Sequence, residues 1–276
     1  MSSLPFRQLT RRIGRALLPH RRTSNETPQL HAGTQLNIPK KLTRLHGGSP
    51  ENARKIGRKW AETFENLGGL RPGHRILDIG CGPGRMAIAI GERFGWQNIY
   101  TGFDVSKEDV LFCRKAITAA HSSFRFTHLD IYNVEYNPAG TIEPTDVRFP
   151  VEDAAIDFCF ATSIFTHFFA DESRHYLREA SRATRGTFLS TWFIIDEAFA
   201  DARQANTARF TFPHRHDDGT HYENARNIAA AVGHEWTTVK AFFADAGLSC
   251  DLHRGAWRGN IKAARHSQDV IVARPL

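Results

Sequence analysis

Residues 76–85 read Ile-Leu-Asp-Ile-Gly-Cys-Gly-Pro-Gly-Arg, and this stretch decides the fold. An apolar run reaches Asp78. Glycines then follow at every second position, Gly80, Gly82 and Gly84, and the helix-like run MAIAIGERFG begins at once. Glycine has no Cβ, so the main chain can turn tightly there and a ligand can approach the backbone. A dinucleotide fingerprint, G-x-G-x-x-G, would need a glycine at 85 in this frame, and Arg85 stands there instead. The stretch predicts a strand, a glycine turn and a helix around a ligand that is not a dinucleotide.

Working outward, strand-like segments alternate with helix-like ones. Strands are expected at 74–79, 98–103, 123–128, 155–161 and 186–194. Helices are expected at 84–94, 107–120, 171–183 and 237–246, and two last short strands at 248–253 and 269–273. Upstream, Ser49-Pro50 supplies a hydroxyl cap followed by proline at the first helical position, for a helix reaching about Leu67 before Gly68-Gly69. Such alternation implies a doubly wound α/β sheet. Residues 129–150 and 193–236 are longer than ordinary loops, and long segments beyond the carboxyl ends of parallel strands shape binding sites.

Three expected strand ends carry polar groups in order. Asp104 ends the second and can accept hydrogen bonds from two adjacent ribose hydroxyls. Asp130 follows the third and could accept from an adenine amine, with the backbone near Ile131 at the ring edge. Thr162 and Ser163 follow the fourth. Each residue also has a plain structural reading: Asp78 could cap its turn, and Asp104 could simply precede a helix capped by Ser106. The set taken in order and at these spacings carries the argument. There is no Walker lysine and no third Rossmann glycine, which suits a ligand without phosphate.

HGGSPENARKIGRKW, ILDIGCGPGR, YTGFDVS, FRFTHLDIYN, YNPAG, IDFCFATSIFTHF and SQDVIVAR span about residues 47–274. Together they resemble bacterial class I S-adenosylmethionine-dependent methyltransferases of the methyltransferase domain 11/25 type. The resemblance implies a Rossmann-like, doubly wound seven-stranded sheet of order 3-2-1-4-5-7-6, with helices on both faces. It implies S-adenosyl-L-methionine as cofactor. Asp78, Gly80, Cys81, Gly82 and Gly84 would surround its methionine part, Asp104 and Val105 its ribose and adenine, Asp130 and Ile131 its adenine, and Thr162 its sulfonium. It also implies a small-molecule or glycan acceptor. One departure is SRATRGTFL at 181–189, where many relatives carry a Gly-Gly pair before the fifth strand. It is expected to alter a surface turn.

Methyl transfer to a hydroxyl, or less readily an amine, needs a base within hydrogen-bond reach. His167, just after the fourth strand, is the candidate, because imidazole titrates near neutrality. The alternative is a structural histidine bonded to a neighbouring loop. Tyr136 and Asn137 are expected to close over the cofactor. The final strand should run antiparallel and return Gln268 and Asp269 to the ligand edge near Trp257, where Gln268 and Trp257 would meet the acceptor. The run HRHDDGTH at 214–221 has metal-ligand types at no recognised spacing, and no metal is expected.

The chain of 276 residues has 41% hydrophobic and 24% charged residues and a net charge of +7. Six arginines (7, 11, 12, 15, 21 and 22) stand in residues 1–25 without an acid, and the rest holds 30 basic against 29 acidic residues. The basicity therefore belongs to the tail, and no specific nucleic-acid partner is expected. The place where a nucleic-acid amine methyltransferase would carry an Asn-Pro-Pro-Tyr-type signature reads ATSIF. Such an enzyme, and a non-catalytic cofactor-binding scaffold, are the alternatives. Phe6, Leu9, Ile13 and Leu17 fall roughly on one helical face, open to three readings: a membrane-surface helix, a targeting segment, or a loosely docked extension. Residues 1–48 are expected to be this basic tail and a linker, and 49–276 the methyltransferase domain. Four scattered cysteines fit a reducing compartment. With no apolar run long enough to span a bilayer, a cytoplasmic protein is expected, with peripheral membrane contact through the tail.

Overall fold

The computed structural model describes residues 36–44, 47–259 and 264–276. The readings of residues 6–17 and of the arginine-rich tail fall outside them.

Helix α1 spans Pro50–Asn66, and Ser49 caps it by accepting a hydrogen bond from Asn52 N at 3.2 Å. The chain then alternates: β1 (Arg75–Ile79), α2 (Arg85–Phe94), β2 (Ile99–Asp104), α3 (Lys107–Cys113, continued by a wider turn to Thr118), β3 (Phe124–His128), β4 (Ile156–Ala161), α4 (Ala170–Ala183) and β5 (Thr184–Trp192). After the second long segment come α6 (Trp236–Asp245), β10 (Leu248–His253) and β11 (Asp269–Pro275). These strands form one seven-stranded sheet with β3, β2, β1, β4, β5, β11 and β10 side by side. β1 to β5 are parallel, and β11 runs antiparallel to both β5 and β10. Counted among the strands of this sheet, that is the expected order 3-2-1-4-5-7-6.

The strands are apolar on both faces because helices cover both. Successive residues feed opposite cores. Ile76, Phe158 and Phe160 join Trp60, Phe64 and Phe124 under α1 to α3. Leu77, Ile79, Cys159 and Ala161 join Tyr176, Trp192, Phe242 and Phe243 under α4 and α6.

Three local readings change. No turn separates α4 from β5: the strand starts at Thr184, directly after Ala183. The register of β4 and β5 shifts there, and Gly186 crosses so close that an added Cβ would lie 2.1 Å from the Asp157 carbonyl oxygen. Residues 193–236 are not a loop. They fold into β6 (Ile194–Ile195), α5 (Glu197–Gln204), β7 (His214–Arg215), β8 (His221–Tyr222) and β9 (Val232–Glu235), and the strands pair in the order β6, β9, β8, β7. Part of the expected linker is docked: Leu36, Ile38 and Leu42 are buried, and Arg54 Nη2 donates to Leu36 O at 2.7 Å. No helix among the described residues is long and apolar enough to cross a membrane.

Candidate active site

The glycine turn leaves β1 at the carboxyl edge of the sheet, and the acid at the end of β2 anchors it. Gly80 N and Cys81 N both donate to Phe103 O at 3.0 Å. Gly82 N donates to Asp104 Oδ2 at 2.7 Å, and Ser106 N to Asp104 Oδ1 at 2.7 Å. One carboxylate thus ties the turn to the start of α3. Gly80 has φ +75°, a left-handed conformation that a side chain would strain, and an added Cβ there would also press on Ile164 Cδ1 at 2.4 Å.

Beside this turn lies a cleft of about 500 Å³. Cofactor and small-ligand pockets run from about 300 to 1,000 Å³. Of the residues expected in a site, Gly80, Cys81, Gly82, Asp104, Val105, Ile131, Tyr136, Thr162, His167 and Gln268 line it. Elements far apart in sequence therefore converge on one volume. Ser163, with φ +59°, leaves β4 in a conformation unusual for a residue with a side chain. Its N donates to Thr191 Oγ1 at 2.7 Å, and its hydroxyl donates to Gln268 Oε1 at 3.0 Å. This last bond carries out the expected return of the final strand to the ligand edge.

Five expected residues do not line the cleft. Asp78 is buried beneath the turn, where the Tyr100 hydroxyl donates to it. Burial pushes its carboxyl up to about 7 despite that bond. Gly84 faces α3: a Cβ there would meet Ile117 Cδ1 at 2.5 Å. Asp130 is turned away from the cleft. Its carboxylate accepts from Asn137 Nδ2 at 3.0 Å and from Thr141 Oγ1 at 2.7 Å and N at 3.2 Å, and these bonds hold it below the usual carboxylate range. Asn137 is spent on the same loop, donating also to Ile131 O at 3.0 Å. Trp257 is buried among Phe193, Phe199 and Phe212, and its Nε1 donates to Asp269 Oδ2 at 2.8 Å. Asp269 itself is buried against Arg258 and clamps Ile194 N and Gly255 N at 2.8 and 2.7 Å, so it joins the small sheet to the large one.

His167 lines the cleft and is also bonded to a loop: its Nδ1 lies 2.7 Å from Ala229 O. A carbonyl only accepts, so Nδ1 carries the proton and Nε2 keeps its lone pair. Burial pulls the imidazole below its ordinary value, so the ring is neutral at pH 7. The small sheet fixes the surrounding segment. Val232 N donates to Thr166 O at 2.8 Å, His234 Nε2 to Phe168 O at 2.9 Å, and Asp218 Oδ2 accepts from Ala170 N at 3.1 Å. Asp218 also contacts His216 Nδ1 at 3.0 Å, and among the described residues no group of three or more His, Cys, Asp or Glu converges as a metal site would require.

The cleft adds residues that the sequence did not single out. Arg85 opens α2, and its buried guanidinium has Asp78 and Tyr136 as electrostatic neighbours. Glu172 and Tyr176 come from one face of α4, and Asn227 and Ala229 from the small sheet's connecting loop. An i, i+4 pair on a helix following a binding strand was the available signal for Glu172 and Tyr176. Nothing in the order of residues announced Asn227.

Residues 76–186 match the model of a protein family described as Methyltransferase domain. The fold is that of the class I methyltransferases. A 68-residue stretch is 35% identical to a Thermoplasma acidophilum protein named "Probable cobalt-precorrin-6B C(15)-methyltransferase (decarboxylating)", covering 24% of this chain and 34% of that protein. The chain thus spans about a third of that curated relative's length. Among solved structures, geranyl diphosphate C-methyltransferase from Streptomyces coelicolor A3(2), in complex with Mg2+, geranyl diphosphate and S-adenosyl-L-homocysteine, superposes with a TM-score of 0.51 at 13% identity, over 100% of both chains. The [4+2]-cyclase SpnF superposes with a TM-score of 0.50 at 15% identity, over 83% of each.

Proposed function

We propose that this protein is an S-adenosylmethionine-dependent methyltransferase that methylates a hydroxyl of a small molecule or saccharide intermediate. The observation that carries the reading is the convergence of the Asp104-anchored glycine turn and His167 on one cleft. The residues fit the cofactor. Each Asp104 oxygen accepts one backbone N–H and retains acceptor capacity for a ribose hydroxyl. Val105 and Ile131 offer apolar surface to a base, and Arg85 offers a cation to the methionine carboxylate. The bound cofactor supplies an activated methyl group.

The protein's own work is orientation and proton removal. Holding reactants in line lowers a barrier by roughly 7–11 kcal/mol. His167 Nε2 takes the acceptor's hydroxyl proton while Ala229 O holds Nδ1–H, so the ring cannot present the wrong nitrogen. Asn227 and Ala229 put the small sheet's loop on the cleft wall, so acceptor choice resides there.

The test is methyl transfer from labelled S-adenosylmethionine into an extract of small molecules, run with wild type and H167A. Cofactor binding alone is insufficient, since this fold also carries a cyclase. Turnover by wild type, falling about 10²–10⁴-fold in H167A with unchanged S-adenosylhomocysteine affinity, supports the reading. Equal turnover in H167A removes His167 as the base, and no transfer by wild type removes the activity. The same assay with residues 1–25 deleted tests the proposal that the basic tail lies outside the catalytic domain, on whose core the linker residues Leu36, Ile38 and Leu42 pack. Vesicle sedimentation with the full chain tests the proposed membrane contact, and cell fractionation tests the proposed cytoplasmic location.

A further inference from the structure

Gln268 stands immediately before β11, and both ends of the residue are held. On the backbone side, the next residue, Asp269, accepts from Gly255 N at 2.7 Å and from Ile194 N at 2.8 Å. Gly255 crosses so close that an added Cβ would lie 2.3 Å from the Gln268 carbonyl oxygen. On the side-chain end, Gln268 Oε1 accepts from the Ser163 hydroxyl at 3.0 Å. Ser163 is itself fixed at φ +59°, with its N donating to Thr191 Oγ1 at 2.7 Å. Backbone strain of this kind persists only where the surroundings over-determine it, and it gathers at ligand sites. Ser163 and Gln268 both line the cleft, so the amide end of Gln268 lies at the cleft wall. With Oε1 occupied, Nε2 retains its N–H donors and has no partner among the described residues. His167 belongs to the same turn as Ser163, since its N donates to Ile164 O at 2.9 Å. One turn therefore sets the position of both a base and an amide donor.

The charges around the cleft narrow the acceptor further. Among the described residues that line it, the one cation is Arg85, which the cofactor reading gives to the methionine carboxylate. Three acids, Asp104, Glu135 and Glu172, line the same volume. A phosphorylated or carboxylated acceptor would meet these acids without a second Arg or Lys to pair with, and anionic oxygens are bound by such cations. Carboxamide N–H groups serve uncharged oxygens instead, and Asn227 adds a second carboxamide residue to the wall. Building on the methyltransferase reading above, we infer that Gln268 Nε2 donates to an oxygen beside the hydroxyl being methylated, so that the acceptor is an uncharged molecule with oxygens on neighbouring carbons. That second contact fixes the rotation of the reacting hydroxyl, which His167 alone would leave free. Gln268 also holds Ser163, so the test must separate recognition from support of the turn.

The experiment gives the full chain methyl-labelled S-adenosylmethionine and a small-molecule cell extract separated by ion exchange into neutral, anionic and cationic fractions. Wild type should label the neutral fraction. Transfer into that fraction is then measured for Q268E and Q268L. Q268E still accepts from the Ser163 hydroxyl and has lost only the donor, whereas Q268L has lost both bonds. Both should lose about tenfold in kcat/KM, the worth of one hydrogen bond to substrate, with S-adenosylhomocysteine affinity unchanged in calorimetry. Wild-type transfer by Q268E beside a loss in Q268L would leave Gln268 as a support for Ser163 and overturn the inference. Labelling confined to a charged fraction would overturn the acceptor class. Absence of labelling by wild type in every fraction would instead overturn the methyltransferase reading on which the inference rests.

Discussion

Asp104→Asn is the sharpest single perturbation of the site. The native carboxylate accepts two 2.7 Å hydrogen bonds from the backbone, one from Gly82 N and one from Ser106 N. An amide offers one oxygen, so its NH₂ must confront one of these N–H groups, donor against donor. One charge-assisted bond is lost outright, and the other loses its charge. Hydrogen bonds to charged groups contribute about 1.5–3 kcal/mol each, so the free protein should lose stability of that order in a urea melt. The ribose loses a carboxylate acceptor as well, which should weaken S-adenosylhomocysteine binding by about ten- to a hundredfold in calorimetry. D104E moves the carboxylate by one methylene and should fall between the two. A D104N protein with wild-type affinity and wild-type urea midpoint would refute the claim that this one side chain both pins the glycine turn and holds the nucleoside.

The pH profile of methyl transfer should be flat at and above neutrality. The active form of His167 is the neutral ring, and burial lowers its affinity for a proton, so activity should be lost only as pH falls below the ordinary imidazole value of about 6.5. An acid limb centred above 7 would contradict the burial argument. Arg258→Ala leaves Asp269 buried and unpaired between the two sheets, and should cost about 3–5 kcal/mol in denaturant unfolding. Gly186→Ala drives a Cβ against the Asp157 carbonyl and should cost about 1–3 kcal/mol, with cofactor affinity unchanged because the crossing lies at the opposite end of β4 from the cleft.

The large sheet was legible because its signals are local. The apolar runs, the Ser49 cap and the glycine turn each state their own conformation, and the final antiparallel strand follows from the topology of the resemblance. Residues 193–236 were opaque for the opposite reason. Their strands are only two to four residues long and gain order from partners: Ile194 pairs with His234, and Tyr222 with Val232. No periodicity can show in segments that short.

The site divides in the same way. Gly80, Gly82 and Asp104 follow from strand-end position alone, and they sit where that position puts them. Asp130 has the right position too, yet Thr141 and Asn137 draw its carboxylate aside. Trp257 was placed near the ligand edge, but its indole found Asp269 inside the protein. Side-chain direction at the end of a strand depends on which neighbour offers a hydrogen bond, and those neighbours lie in loops. Ala229 illustrates this best: a carbonyl with no side-chain signature selects the tautomer of His167.

A crystal structure of the full chain grown with S-adenosyl-L-homocysteine tests the central claim most directly. The ribose hydroxyls should lie within hydrogen-bond distance of the Asp104 carboxylate, the base against Val105 and Ile131, and the sulfur on the side of the cleft bordered by Thr162 and His167. A ligand bound elsewhere, or one in the cleft with its ribose away from Asp104, would contradict the account.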